Sequence, residues 1–406
     1  MPDRLLQFPT GAKDAIVTAR DTFSFDDLHQ LRHFMGDAFG QQVLGPPKRI
    51  LGCLEDDEHA LFALLFLTEL SDYMPINPKL SDAETSDMVR TSGADIAIVS
   101  RTLLDQKCAA LSMINVLIWD DIVQAAVQAL RAGKPTPMPP KWNQIGRLIL
   151  HTSGSTGTPK RVPISLDAMN ASAQNIAKGH RLAADDHALN ALPTFHIGAL
   201  VDVMLAPFAA QGRISLTANR APEDLVAALI KQRPTWFQVV PTLLRRLVED
   251  VDHATLKQAG QSLRFIRSIS APVPQDLKDA VEALLGCPVI EMYGMTETAG
   301  QIATLGRDPQ THKPGSVGKP VGVEVAILDR FGNALGPGQT GEVCVRGPTV
   351  FEGYEGSTRD DVFFEHYFRT GDLGKRDPDG SLFLQGRLKE MINVGGEKVS
   401  PHEIET

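Results

Sequence analysis

The chain has 406 residues, 43% hydrophobic and 22% charged, which excludes disordered and fibrous classes and calls for more than one ordinary core. Forty basic residues against 49 acidic ones leave a formal charge of −9 with no long basic run, which argues against nucleic acid as a partner. The four separated cysteines, Cys53, Cys108, Cys287 and Cys344, form no CxxC or zinc pattern and fit a reducing cytoplasm.

The opening MPDRLLQFPTGAKDAIV lacks a basic region followed by an apolar stretch, so no secretory signal is expected. Ser24, three residues before Asp27, forms a capping-box pattern that opens a helix through Phe34. The longest apolar run, Ala60 to Leu67, is far short of the roughly 20 residues of a membrane span and predicts a buried helix instead. Residues 133–141, GKPTPMPPK, contain four prolines and predict a surface linker. RLILHT at 147–152, WFQVV at 236–240 and LRFIRSIS at 263–270 read as strands, with Pro241 suited to the first turn of a helix after the second. PQDLKDAVEALLG reads as a helix stopped by Gly286. Strands alternating with helices to about Ile290 predict parallel sheets covered on both faces. Beyond Thr311, VEVAILD, TGEVCVRG and SLFLQGR, set between Gly/Pro turns, predict a β-rich unit over roughly 315–385, a small distorted barrel.

Several motifs carry chemistry. The loop TSGSTGTPK, Thr152 to Lys160, directly follows a strand; its glycines permit close approach, and its hydroxyls, N–H groups and lysine suit phosphate charge. It is not a Walker loop, since Pro159 precedes the lysine and Arg161 follows it. By composition alone a flexible surface turn is an equal reading. MYGMTE at 292–297 follows the apolar strand PVIEM, at the edge where open α/β sheets bind ligands. Tyr293 offers a ring face, Thr296 a hydroxyl and Glu297 a hard oxygen, though as a lone pentapeptide YGMTE reads more readily as structural, an interface aromatic and a solvated acid. Asp372 in RTGDL and Arg387 in GRLKE suit ribose or phosphate, or a turn and a surface pair. His196, in LPTFHIGAL, stands beyond an apolar stretch before a glycine turn.

In their order and spacing these motifs, with PINPKL at 75–80, GEVCVRGP at 341–348 and GGEKVSPHEIE at 395–405, resemble the acyl-adenylate-forming superfamily. HKPGSVGKPVGVEVAILD and GGEKVSP are similar to its oxalate-CoA and coumarate-CoA ligase branch. The resemblance implies an α/β fold of two doubly wound sheet subdomains and a β-barrel-like one. It implies an adenylation core over 1–388 (about 1–190, 191–314 and 315–385) and a hinge at Lys389 opening a truncated C-terminal segment, 389–406. The expected activity is ATP-dependent, Mg²⁺-assisted conversion of a small carboxylic acid to acyl-AMP, then transfer to coenzyme A. Alternatives are transfer to the phosphopantetheine of a carrier protein, or a non-catalytic binding module.

Carried over, the resemblance makes Thr152, Ser153, Gly154, Ser155, Thr156, Gly157 and Lys160 the phosphate loop. Ser270, Ala271, Pro272, Glu291, Met292, Tyr293, Gly294 and Met295 would border the nucleotide, with Tyr293 against adenine. Thr296 would meet the α-phosphate, Glu297 hold Mg²⁺, and Asp372 with Arg387 bind ribose. His196, Thr296 and Glu297 would be catalytic; His196, Gly198, Ala199, Val239, Val240, Met295, Ala299 and Gly300 would surround the acid. That pocket is expected to be small and apolar, with no counter-charge for a second carboxylate. Amino-acid-activating members of the superfamily place an aspartate just after the His196 position to hold the α-amino group; Ile197 stands here and Asp202 is wrongly spaced, which favours an acid without one. The family's C-terminal lysine has no counterpart, so adenylation by this chain alone is expected to be impaired. Arg161 stands where relatives mostly have glycine, and either stiffens the loop or adds a phosphate contact.

Overall fold

A computed structural model describes residues 6–18, 20–138, 146–152, 159–217 and 220–389, with the backbone of strands Ile392–Val394 and Glu397–Val399. Two large sheets share a core. One has six strands in the order Asn115–Ile118, Ile96–Val99, Arg49–Cys53, Asp72–Pro75, Arg147–Thr152 and Lys160–Ser165, all parallel except the last pair. The other has nine, and its centre runs Val289–Met295, Phe265–Ser268, Trp236–Val239, His187–Asn190 and Arg213–Leu216 in parallel. Strands Asp14–Val17 and Thr22–Ser24 complete one edge of this second sheet, so the two sheets interleave along the chain.

Period-2 alternation assigns each sheet two buried faces. Ile50, Ile98, Leu148 and Leu150 of the first sheet face the same core as Ala188, Ile214, Trp236 and Phe265 of the second. Helix Asp57–Leu67 lies in that shared core, which is why ALFALLFL is apolar all round. The outer face of the first sheet carries Leu51, Cys53, Val99 and Ile149; that of the second carries Leu189, Phe237, Val239 and Ile266 beneath helices Pro222–Gln232, Pro241–Asp250 and Gln275–Leu285.

Local signals act as expected. Ser24 caps helix Phe25–Gly40 and exchanges bonds with Asp27 (3.1 and 2.8 Å). The helix continues past Phe34 because Met35 and Phe39 keep the helical spacing into the core. Pro241 opens its helix, and Gly286 ends Gln275–Leu285 in the left-handed conformation, φ +70°. From 133 to 138 there is no regular element. Strands Glu324–Leu328, Gly341–Arg346, Phe363–Phe364, Tyr367–Arg376 and Leu382–Arg387 form a five-stranded antiparallel sheet. Among the described residues no helix is long and apolar enough to cross a membrane.

Candidate active site

The nine-stranded sheet presents its carboxyl ends to a cavity of about 570 Å³. His196, Ile197, Gly198 and Asp202 come from the stretch after strand His187–Asn190; Val240, Thr242, Leu243 and Arg246 from the turn and helix after Trp236–Val239. Ile269 and Ser270 follow Phe265–Ser268, and Met292, Gly294, Met295, Thr296 and Gly300 join the lining. The sheet thus gathers His196, Gly198, Val240, Ser270, Met292, Gly294, Met295, Thr296 and Gly300, as expected at this edge.

Three pocket residues named from the sequence do not line it. Val239 is fully buried, because alternation from Phe237 turns it to the outer face, under the helices. Ala199 lies inside the π-helical turn Gly198–Val203, which presents Gly198 and Asp202 to the cavity instead. Ala299 packs into the shared core while its carbonyl accepts from Ser172 Oγ at 2.6 Å. The lining is mostly apolar, as expected, but Arg220 and Arg246 also stand on the wall, so it is not without positive charge. His196 lies six residues past its strand, exposed, in a turn closed by its own N–H to the Pro193 carbonyl (3.2 Å); desolvation lowers its pKa.

Tyr293 is buried at the end of strand Val289–Met295, and its hydroxyl donates to Asp372 Oδ2 at 2.6 Å. Burial and then the Asp372 carboxylate push the phenol well above its usual value, so it stays the donor. Arg387, the register partner of Asp372 across the hairpin, brings Nε to within 3.1 Å of Oδ1. Thr296 and Glu297 follow in a short 3₁₀ turn. Glu297 is buried and accepts a 2.6 Å bond from the Tyr354 hydroxyl. The Tyr354 ring also lies 4.4 Å from Lys160 Nζ, linking the end of the Ser/Gly loop to Glu297. Tyr354 was not legible as a site residue; its only signal is an aromatic between two glycines in EGYEG.

Thr152 and Lys160 are register partners, so the loop joins two antiparallel strands instead of leading into a helix. Ser153, Gly154, Ser155, Thr156 and Gly157 lie outside the described residues. Glu291 accepts the Val273 N–H (3.2 Å) and Lys278 (3.3 Å), holding the exposed turn of Ser270, Ala271 and Pro272 in place. Lys389 is exposed in the turn after Arg387.

Beneath the cavity is a network the sequence reading missed. Arg267 and Asp202 are completely buried and pair at 2.9 Å, joined by Gln238, Gln301 and His180. Its signal was an arginine inside the buried strand FIRS. Among the described residues no three His, Cys, Asp or Glu side chains could hold a metal together. Glu297 offers one hard oxygen at this edge, the kind of donor that Mg²⁺ accepts alongside phosphate and water oxygens.

Residues 8–355 match the AMP-binding enzyme family. The chain is 40% identical to the probable CoA ligase CCL9 of Humulus lupulus over 264 residues, 64% of this chain and 50% of that protein. It is 38% identical to the oxalate–CoA ligase of Saccharomyces cerevisiae over 262 residues, 64% of this chain and 48% of that one. It thus spans about half the length of these relatives. Apo MatB from Rhodopseudomonas palustris superposes with a TM-score of 0.83 at 27% identity, covering 97% of this chain and 79% of that one. With motifs, fold and site in agreement, the chain belongs to the AMP-binding enzyme family, within the acyl-adenylate-forming superfamily.

Proposed function

We propose that this chain is the nucleotide- and acid-binding core of an ATP-dependent acyl-CoA synthetase. The observation that carries the reading is the Tyr293–Asp372–Arg387 cluster, whose tyrosine lies on the strand that runs into Thr296 and Glu297, beside an acyl-sized cavity. Residues 1–388 form the core in this reading, and Lys389 the hinge.

The acid occupies the cavity and its carboxylate oxygen attacks the α-phosphorus of ATP; the bond to the bridging oxygen breaks and pyrophosphate leaves. Asp372, held by Tyr293 and Arg387, accepts the ribose hydroxyls and fixes the nucleotide. Thr296 donates to the α-phosphate, and Lys160 sets its charge against the phosphate chain. Glu297, fixed by Tyr354, would hold Mg²⁺ against the nucleotide oxygens; the ion would offset the charge gathering there. A thiolate then attacks the acyl carbon and AMP departs with the electron pair of the broken C–O bond. Coenzyme A is favoured over a carrier-protein arm because both sequence relatives above are named CoA ligases.

The test is calorimetric titration of the chain with AMP and ATP·Mg²⁺, alongside Asp372→Asn. Binding weakened at least about tenfold by the substitution supports the reading, since charge-assisted bonds to the ribose are lost. A chain that binds neither nucleotide overturns it. Acid-dependent pyrophosphate release by the full reading frame, screened over short-chain, aryl and fatty acids, tests the chemistry.

A further inference from the structure

We propose that Tyr354 is a positioning residue for the nucleotide, setting the Mg²⁺ ligand Glu297 with its hydroxyl and the loop lysine Lys160 with its ring. The inference rests on the acyl-adenylate reading and adds a residue to the machinery of the same site.

Segment 351–355 spans the two groups that Tyr354 touches. At one end the Phe351 N–H donates to the Glu297 carbonyl at 2.9 Å; at the other the Glu355 N–H donates to the Arg161 carbonyl at 3.1 Å. Both ends are also anchored by their side chains. Phe351 is buried against Phe363 and Phe368, with ring centroids 6.2 and 5.1 Å away, and the Glu355 carboxylate accepts from Arg49 at 3.1 Å and Arg161 at 2.7 Å. Tyr354 lies between these anchors, its ring edge-on to Phe351 at 4.9 Å. Its neighbours along the chain therefore fix its place.

Each half of the side chain has its own task. The hydroxyl donates to Glu297 Oε1 at 2.6 Å, the sole hydrogen bond of that carboxylate among the described residues. It restrains the rotation of the carboxylate while Oε2 is left for a metal. Removing a hydrogen-bonded partner of this kind typically costs roughly ten- to a hundredfold in metal affinity. The ring lies 4.4 Å from Lys160 Nζ, within cation–π distance, and no carboxylate pairs with that lysine among the described residues. A ring face holds the ammonium without cancelling its charge, so the charge is kept for the phosphate chain. Packing alone asks for no hydroxyl, since phenylalanine would fill the space beside Phe351 as well. A hydroxyl aimed at a buried carboxylate is what packing leaves unexplained.

The experiment is calorimetry on this chain with α,β-methylene ATP, which cannot break at the reacting bond, in saturating Mg²⁺ and in EDTA, with AMP as the reference. The quantity read is the gain in affinity that Mg²⁺ brings. Tyr354→Phe should cut that gain about tenfold, while the metal-free analogue and AMP bind within about twofold of the parent. Tyr354→Leu, which also removes the ring, should weaken the metal-free analogue about fivefold and leave AMP unchanged, because AMP lacks the β- and γ-phosphates. Tyr367→Phe takes a hydroxyl from another glutamate, Glu324, in the antiparallel sheet and should change none of the three. A gain that survives Tyr354→Phe, or a loss that is equal with and without the metal, overturns the inference, since a packing role moves all ligands together. Unchanged metal-free affinity in Tyr354→Leu overturns the ring's share of it. A parent that binds AMP but gains nothing from Mg²⁺ overturns the inference and leaves the nucleotide reading standing; a parent that binds neither nucleotide overturns both.

Discussion

The side chains that shape the site are mostly held by others behind them. Asp202 illustrates this: it lines the cavity, yet its carboxylate is committed to Arg267 and Gln238. Burial raises its pKa, and the attached arginine opposes that shift. Substituting Arg267→Met removes the cation and leaves a carboxylate buried without it. We expect a loss of about 3–5 kcal/mol, because an uncompensated charge cannot be hydrated there. The double substitution Arg267→Met with Asp202→Leu should recover most of the loss. Urea denaturation of the three proteins decides: a single substitution costing no more than an exposed pair would show that the network carries no strain-bearing role. In sequence, Asp202 could be read only as too far from His196 to hold an amino group. Its true partner is 65 residues away, across the sheet, and spacing carries no information about such a pair.

Most elements were legible where composition and period agree. The strands at 147–152, 236–239 and 265–268, the proline opening at 241 and the glycine stop at 286 each have a local cause. The short edge strands Asp14–Val17 and Thr22–Ser24 were not, since their pairing with Arg213–Leu216 depends on contacts far along the chain. The π-helical turn Gly198–Val203 has no simple period to betray it. That turn and strand Gly300–Thr304 meet at Gly300, whose φ is +109° and where an added Cβ would collide with Asp202 Oδ1. Gly300→Ala should therefore cost more than Gly286→Ala, a left-handed position with open space around it. About 1 kcal/mol is expected at Gly286 and about 2–3 at Gly300, where steric displacement adds to the backbone strain. Acyl-sulfamate binding should weaken at Gly300→Ala only. Equal thermal shifts for the two alanines would count against the collision.

Across the whole molecule, two neighbouring contacts tie the six-stranded sheet to the segment leading into strand Phe363–Phe364. Lys160 lies on the Tyr354 ring, and the next residues along each chain segment, Arg161 and Glu355, pair at 2.7 Å. Arg49 also binds Glu355, and Arg49 and Arg147 share Asp72 (3.2 and 2.7 Å), so three cations surround two carboxylates. Arg161 Nη1 further donates to the Thr91 carbonyl at 3.2 Å. These bonds favour a stiffening role for Arg161 over a phosphate contact, a choice the sequence left open. Glu355 lies below the usual carboxylate range: burial raises its pKa, but the bonds from Arg49 and Arg161 outweigh it. The carboxylate thus stabilises the fold above the ordinary glutamate range, and that contribution is lost as pH falls through its depressed folded value. Arg161→Gly should lower stability by about 1–2 kcal/mol, since the pair is mostly shielded and charge-assisted. AMP affinity should stay within about twofold, because the guanidinium is engaged by Glu355 and Thr91. The opposite pattern, affinity down tenfold at unchanged stability in calorimetry and denaturation of the same preparation, would return Arg161 to the nucleotide.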